Sequence, residues 1–278
     1  MTVQRAAILG VGLIGGSLAA AWRKEGFAAS IIGIEVDAAA AAKALELGLV
    51  DTIEPEVPAD AELIAICTPS DQVARHVIGL KDHPGVVMDV GSVKHPIVEE
   101  LRTQLGGLPA RFVPSHPIAG AETSGPAAAR DDLFAGATTV ITPAGNADEN
   151  AIGLVEQAWQ AAGTKVERMS SEEHDAMLAV TSHLPHALAF VFLQQVEEGQ
   201  LDFTGGGFRD FTRIAAANPE LWWRIFRMNQ DALLDAGETF FSNLGTLVDA
   251  LRNNDEAAGI ELLRRARDMR KMLEEPRD

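Results

Sequence analysis

Ile8-Leu9-Gly10-Val11-Gly12-Leu13-Ile14-Gly15-Gly16-Ser17 places a G-x-G-x-x-G pattern between an apolar run and a helix-period stretch. Gly10 permits a tight turn, Gly12 has no Cβ to obstruct a pyrophosphate, and Gly15 lets a helix pack close on a strand. The helix that follows offers free backbone N–H groups to phosphate. Twenty positions beyond Gly15, Glu35 ends the next apolar run. A carboxylate there accepts from an adenosine 2′-hydroxyl and repels a 2′-phosphate, which favours NAD over NADP. Asp37, two residues on, is the alternative ribose contact. The cofactor set read from this half is Gly10, Gly12, Leu13, Ile14, Gly15, Glu35 and Thr68.

The pattern extends downstream. Apolar runs at 6–9, 31–35, 63–67, 86–90, 112–114, 138–142 and 165–168 read as strands, and helix-period stretches at 16–26, 38–48, 72–80 and 150–162 alternate with them. Such alternation implies parallel βαβ units and a doubly wound sheet. Near residue 170 the strand signal stops. The stretches 171–198, 208–217, 221–252 and 256–274 read as helices, broken by Gly205-Gly206-Gly207 and by Asn218-Pro219-Glu220, with Asn218 as N-cap and Pro219 opening the next helix. The expected organisation is a Rossmann-type α/β domain over 1–169 and an all-helical domain over 170–278.

The 278 residues carry 23 Lys and Arg against 40 Asp and Glu, a net charge of −17. Such a surface repels nucleic acid and anionic membrane, and a pocket for an anionic substrate must supply its own local cation. A single cysteine, Cys67, fits a reducing cytoplasm. No secretory leader is expected at the N-terminus, and the apolar stretch 176–193 holds His183, Pro185 and His186, so a buried core helix is expected there rather than a membrane span. The seven histidines and one cysteine show no metal-ligand spacing, and no metal is expected.

Three segments carry unusual polar groups. Asp89-Val90-Gly91-Ser92-Val93-Lys94 ends a strand on the edge where doubly wound sheets bind ligands. In Ser115-His116-Pro117, a histidine follows the next strand; it is either a surface-loop residue or is held on the cofactor-facing edge. In the helical half, Ser182 and His186 lie four apart and His183 and His186 three apart, on one helix face, with Pro185 leaving the Thr181 carbonyl without its usual donor. Asp210 and Arg213 are three apart among Phe208, Phe211 and Ile214, which predicts a partly buried pair, and a buried arginine suits a carboxylate ligand.

Taken together, Gly10 to Ser17, Gly91-Ser92-Val93-Lys94, His116-Pro117-Ile118-Ala119-Gly120, Thr181-Ser182-His183-Leu184-Pro185-His186 and Gly206-Gly207-Phe208-Arg209-Asp210-Phe211-Thr212-Arg213 resemble, in order, the prephenate/arogenate dehydrogenases of tyrosine biosynthesis. The resemblance implies a Rossmann domain, a helical domain that dimerises, and NAD-dependent oxidative decarboxylation of prephenate, arogenate or both. It implies that His116 takes the ring-hydroxyl proton and that Ser92 bonds the same hydroxyl. It further implies that Arg213 holds a substrate carboxylate, that His186, Asp210, Ser182 and Trp222 line the substrate pocket, and that Glu122 stands at its mouth. Relatives usually carry Asp where this chain has Glu35. Many carry a C-terminal amino-acid-sensing domain, which is not expected here.

The alternatives are a β-hydroxyacid or imine-type dehydrogenase, or a non-catalytic NAD-sensing protein. The first relies on a lysine in the helical half, and this chain has none between Lys165 and Lys271. The second has no need of His116, Ser92 and Arg213 together. A run of Leu221, Trp222, Ile225, Phe226, Leu233 and Leu234 exceeds what one Rossmann contact can cover and points to a homodimer.

Overall fold

Alternating apolar side chains build the sheet from its centre. The computed structural model describes residues 2–121 and 123–273. Strand β1 (Val3–Leu9) pairs in parallel with β2 (Ala28–Ile34) on one side and β4 (Leu63–Ile66) on the other. β3 (Thr52–Ile53), β5 (Val86–Asp89) and β6 (Phe112–Val113) complete a six-stranded sheet in the order β3-β2-β1-β4-β5-β6. Ala6 and Ile8 of β1, with Leu63 and Ala65 of β4, face one core; Ala7, Leu9, Ile64 and Ile66 face the other. The period of two is the pleat.

Helices cover both faces. α1 (Leu13–Lys24) and α5 (Glu149–Ala161) bury Leu18, Trp22, Val155 and Trp159 in the first core, and the Trp22 indole donates to the Ala158 carbonyl at 2.9 Å. α3 (Ser70–Gly79) and α4 (His95–Leu105) bury Val73, Val77, Ile97 and Leu101 in the second. α2 (Ala38–Glu46) follows β2 and is capped by the Asp37 carboxylate.

The sheet reading is corrected in one respect. The strands at 138–142 and 165–168 do not extend the parallel sheet. β8 (Thr138–Ile141) pairs antiparallel with β7 (Ser115–Pro117) and parallel with β9 (Lys165–Arg168) in a separate three-stranded sheet. Pairing with the three-residue strand at 115–117 brings His116 opposite Val140.

The 171–198 stretch is helical without a break from 171 to 195, but not regular. α6 (Ser171–Leu178) begins with a capping box between Ser170 and Glu173, runs into a π-helical turn at Ala179–His183, and continues as α7 (Leu184–Phe192) with Pro185 in its first turn. A wide π turn accommodates the missing Pro185 N–H. The segment 171–195 is long and apolar enough to cross a membrane by length and composition alone. The expected burial is not found: only 22% of its most apolar 18-residue window is buried, and Met177, Val180 and Val191 are exposed in the single chain.

α8 (Gly206–Thr212) starts inside the triple glycine, and α9 (Pro219–Met228) is capped by the Asn218 side chain, as its sequence requires. Asn229 then separates α9 from α10 (Gln230–Arg252), and α11 (Glu256–Met272) follows. The chain divides into compact units at 1–230 and 231–278. The candidate dimer run splits accordingly: Ile225 is buried, whereas Leu221 and Leu234 are exposed.

Candidate active site

The glycine loop leaves β1 at Leu9. Gly10 has φ +87°, a left-handed backbone, and a Cβ there would lie 2.9 Å from the Cys67 carbonyl oxygen. A Cβ on Gly15 would come within 2.2 Å of the Gly10 oxygen, so α1 can approach the strand only with glycine at this position. Gly12 differs: nothing lies within 4 Å of where its Cβ would be. That open face, with Leu13 and Ile14, lines a cavity of about 620 Å³. Thr68, whose backbone N lies near Gly10, has a buried Oγ1 with no hydrogen-bond partner among the described residues. An open glycine face at a helix N-terminus beside an orphaned hydroxyl fits a cofactor carrying a pyrophosphate.

Glu35 closes the loop from the side. Its carboxylate accepts from the Val11 N–H and the Asp37 N–H, both at 3.0 Å. Asp37 instead accepts from Ala40 N at 2.7 Å and so is committed to the end of α2. Of the two candidates for the ribose, Glu35 is the one that faces the glycine loop.

Across the cavity, β5 ends in a buried ion pair. Lys94 Nζ bonds Asp89 Oδ2 and donates to the Ser115 carbonyl at 2.8 Å, with both side chains fully buried. The remaining acceptor capacity of Asp89 takes the Ser115 N–H at 3.0 Å and the Gly91 N–H at 2.9 Å. This ties the turn 90–94 to β7, so that Ser92 and His116 line one cavity. Ser92 N donates to Ser70 Oγ at 3.1 Å.

His116 Nδ1 lies 2.8 Å from His174 Nε2, and His174 Nδ1 lies 2.6 Å from Asp175 Oδ1. The Asp175 carboxylate also accepts from Lys94 N at 2.9 Å and His95 N at 2.8 Å, supplying the cap that α4 lacks locally. The proton order follows from the carboxylate end. Asp175 accepts, so His174 Nδ1 carries the proton and its Nε2 accepts; His116 Nδ1 therefore donates, and His116 Nε2 keeps its lone pair. Burial first, then neighbouring His174, Lys94 and His183, hold His116 well below its usual range, so the ring is neutral at pH 7.

The helical segment adds the far wall. Ser182, His183 and His186 line it with Trp222. His186 stacks on Trp222 at 3.5 Å between ring centroids, and its Nδ1 donates to the Ser182 carbonyl at 2.9 Å. The Cys67 thiol also lines the cavity, but burial and the Asp89 carboxylate push its ionisation up, so it stays protonated.

Ser92, His116, Ser182, His186 and Trp222 are thus brought together with Gly12, Leu13 and Ile14. Gly10, Gly15, Glu35 and Thr68 support the loop behind them. Asp210, in α8, and Arg213, which opens a short 3-10 turn, are exposed rather than partly buried as expected. Arg213 stands next to Ile214, which lines the cavity. Glu122 lies outside the described residues. Sequence reasoning missed His174, Asp175 and Asn229, and it saw Asp89 and Lys94 only as loop neighbours. The adjacent His174-Asp175 pair within one turn of a capped helix was the available signal.

Comparison with known proteins gives two family matches along the chain. Residues 18–168 match the family described as prephenate dehydrogenase, nucleotide-binding domain, and residues 170–265 match prephenate dehydrogenase, dimerization domain. The chain is 33% identical to a cyclohexadienyl dehydrogenase of Zymomonas mobilis, over 92% of this chain and 91% of that one. It is 32% identical to a prephenate dehydrogenase of Bacillus subtilis, over 95% of this chain and 74% of the relative. Among solved structures, prephenate dehydrogenase of Aquifex aeolicus in complex with hydroxyphenyl propionate and NAD+ superposes with a TM-score of 0.90 at 33% identity, covering 98% of this chain and 99% of that one.

Proposed function

The chain belongs to the prephenate dehydrogenase family, and from that premise we propose that it catalyses the NAD-dependent oxidative decarboxylation of prephenate, of arogenate, or of both. The observation that carries this reading is the Asp175–His174–His116 chain, which ends in a lone pair on the wall of the cavity lined by Gly12. Bound NAD+ supplies a hydride acceptor in that cavity. His116 Nε2 takes the proton of the ring hydroxyl as the carbinol hydride leaves, and Ser92 bonds the same oxygen. The bond to the ring carboxylate then breaks, CO2 departs, and its electron pair completes an aromatic ring. Arg213, three residues after Asp210 in the sequence, meets a substrate carboxylate, while Ser182, His186 and Trp222 hold the ring. NADH formation with prephenate and arogenate side by side, each with NAD+ and NADP+, tests the proposal; no turnover with either would end it.

Three expectations come with it. Glu35 beside the glycine loop should make NAD+ preferred by at least about tenfold, ~1.4 kcal/mol, because a 2′-phosphate would meet its carboxylate. Glu35→Ser should narrow the gap; equal efficiency with NADP+ in the unmodified protein would assign Glu35 to the loop alone. Arg213→Ala should raise KM for the carboxylate substrate more than it lowers kcat, and an unchanged KM would remove Arg213 from the site.

The third concerns assembly. α10 and α11 leave Phe241 (66%), Leu251 (70%) and Leu263 (59%) exposed, and the matched dimerization domain reaches residue 265. A homodimer covers such a surface. Sedimentation at micromolar concentration should show two copies, and Phe241→Asp with Leu251→Asp should yield monomers. A monomeric unmodified protein contradicts this.

A further inference from the structure

Two histidines share the cavity wall with opposite hydrogen-bonding polarity. His116 reaches it with a lone pair. For His183 the order is set from Asn229, at the break between α9 and α10. Asn229 Nδ2 donates to the Asp175 carbonyl at 2.8 Å, and a carbonyl can only accept, so the amide orientation is fixed. The same Nδ2 lies 2.9 Å from His183 Nδ1. Its second proton goes there, so His183 Nδ1 accepts and the ring proton sits on Nε2.

His183 is 1% exposed, yet its ring lines the cavity, and its Nε2 has no hydrogen-bond partner among the described residues. The ring lies edge-on to Trp222, at 6.2 Å between centroids. Burial lowers its ionisation to about 4, against the pull of Asp175 and with the push of His174 and His186; His116 also faces it from β7. The ring therefore stays neutral through the physiological range. None of the described lining residues is Lys or Arg. Beside Arg213, an anionic substrate in this cavity meets neutral donors on the lining residues, and a fixed imidazole N–H is one.

We propose that His183 Nε2–H is a permanently neutral donor that binds a carboxylate oxygen of the substrate, and that Asn229 is the positioning residue that locks its tautomer. This rests on the dehydrogenase reading for the identity of the anion. The lock itself does not.

Removing a bond to a charged acceptor should cost about 10–100-fold. His183→Phe should raise KM for prephenate by that factor, with kcat and the KM for NAD+ changed little. His183→Gln, whose amide can reach the place of Nε2, should restore most of it. Asn229→Asp replaces both donors with acceptors and reverses the ring, leaving a lone pair toward the substrate. Its KM defect should be large at pH 8 and shrink toward pH 6, as the ring protonates and donates again; a merely structural defect would not recover in acid. If Asn229→Asp does not fold, the His183→Phe and His183→Gln pair still decides. Nitrogen-15 NMR of the unmodified protein should show the Nε2–H form unchanged between pH 8 and 5. An unchanged prephenate KM in His183→Phe, or an Nδ1–H ring by NMR, overturns the inference. A protein that turned over neither substrate would overturn the preceding reading instead, while NMR would still decide the lock.

Discussion

His116→Asn should lower kcat by about 10²–10⁴-fold, the usual contribution of a positioned general base. Without Nε2 the ring-hydroxyl proton must leave unaided as the hydride departs. Affinity for NAD+ should change little, because the glycine loop and Glu35 lie on other elements. The pH profile gives a second reading. The ionisation of His116 is displaced downward from ~6.5, so the neutral base persists below that pH, and kcat should fall only on the acid side of it. In the variant that limb should vanish with most of the rate. Stability has a related sign: below pH ~6.5 the unfolded chain takes protons on His116 and His183 that the native rings refuse. The fold should therefore weaken as pH drops, and for His183 the loss should run down to about 4. A variant with near-normal kcat and an unchanged profile would leave His116 a wall residue.

Lys94→Met should cost about 3–5 kcal/mol of stability, since it strands the Asp89 carboxylate in a fully buried site. The pair is expensive to bury, so removing both charges should be milder than removing one. Asp89→Asn with Lys94→Met should recover part of the loss, the amide oxygen retaining one backbone donor. Lys94 also disfavours protonation of His116, so the single variant should move the acid limb upward if enough folded enzyme remains to assay. Denaturant unfolding of the three proteins checks this; a single variant within 1 kcal/mol of the unmodified chain would show that Asp89 finds another cation or a proton cheaply.

The parallel sheet and glycine loop were legible because they are local: each strand is a short apolar run, and the loop follows the first. β7 was not. Ser115-His116-Pro117 has too few residues to alternate, and it becomes a strand only by pairing with Val140 and its neighbours, some 25 positions away. The exposed histidine of a loop and the poised histidine of a strand look identical in sequence. His174 and Asp175 hid for a related reason, because polar residues in a helix's first turn are ordinary. Asn229 was masked by the apolar periodicity on either side, which reads as one helix from 221 to 252. Each missed group acts through partners 46 to 81 residues away in sequence, as the bonds of Asn229 to His183 and of Asp175 to Lys94 show.

The Asp175 carboxylate has a mechanical consequence as well. It grips the backbone at Lys94 and His95 with one hand and His174 with the other, and Asn229 clamps the carbonyl of the same residue. Any hinge between the sheet and the first helices that follow residue 170 would have to break these bonds together and disarm His116 in the same movement. The fold therefore behaves here as a welded joint. Loosening either side of that joint would loosen the cavity wall that carries His116.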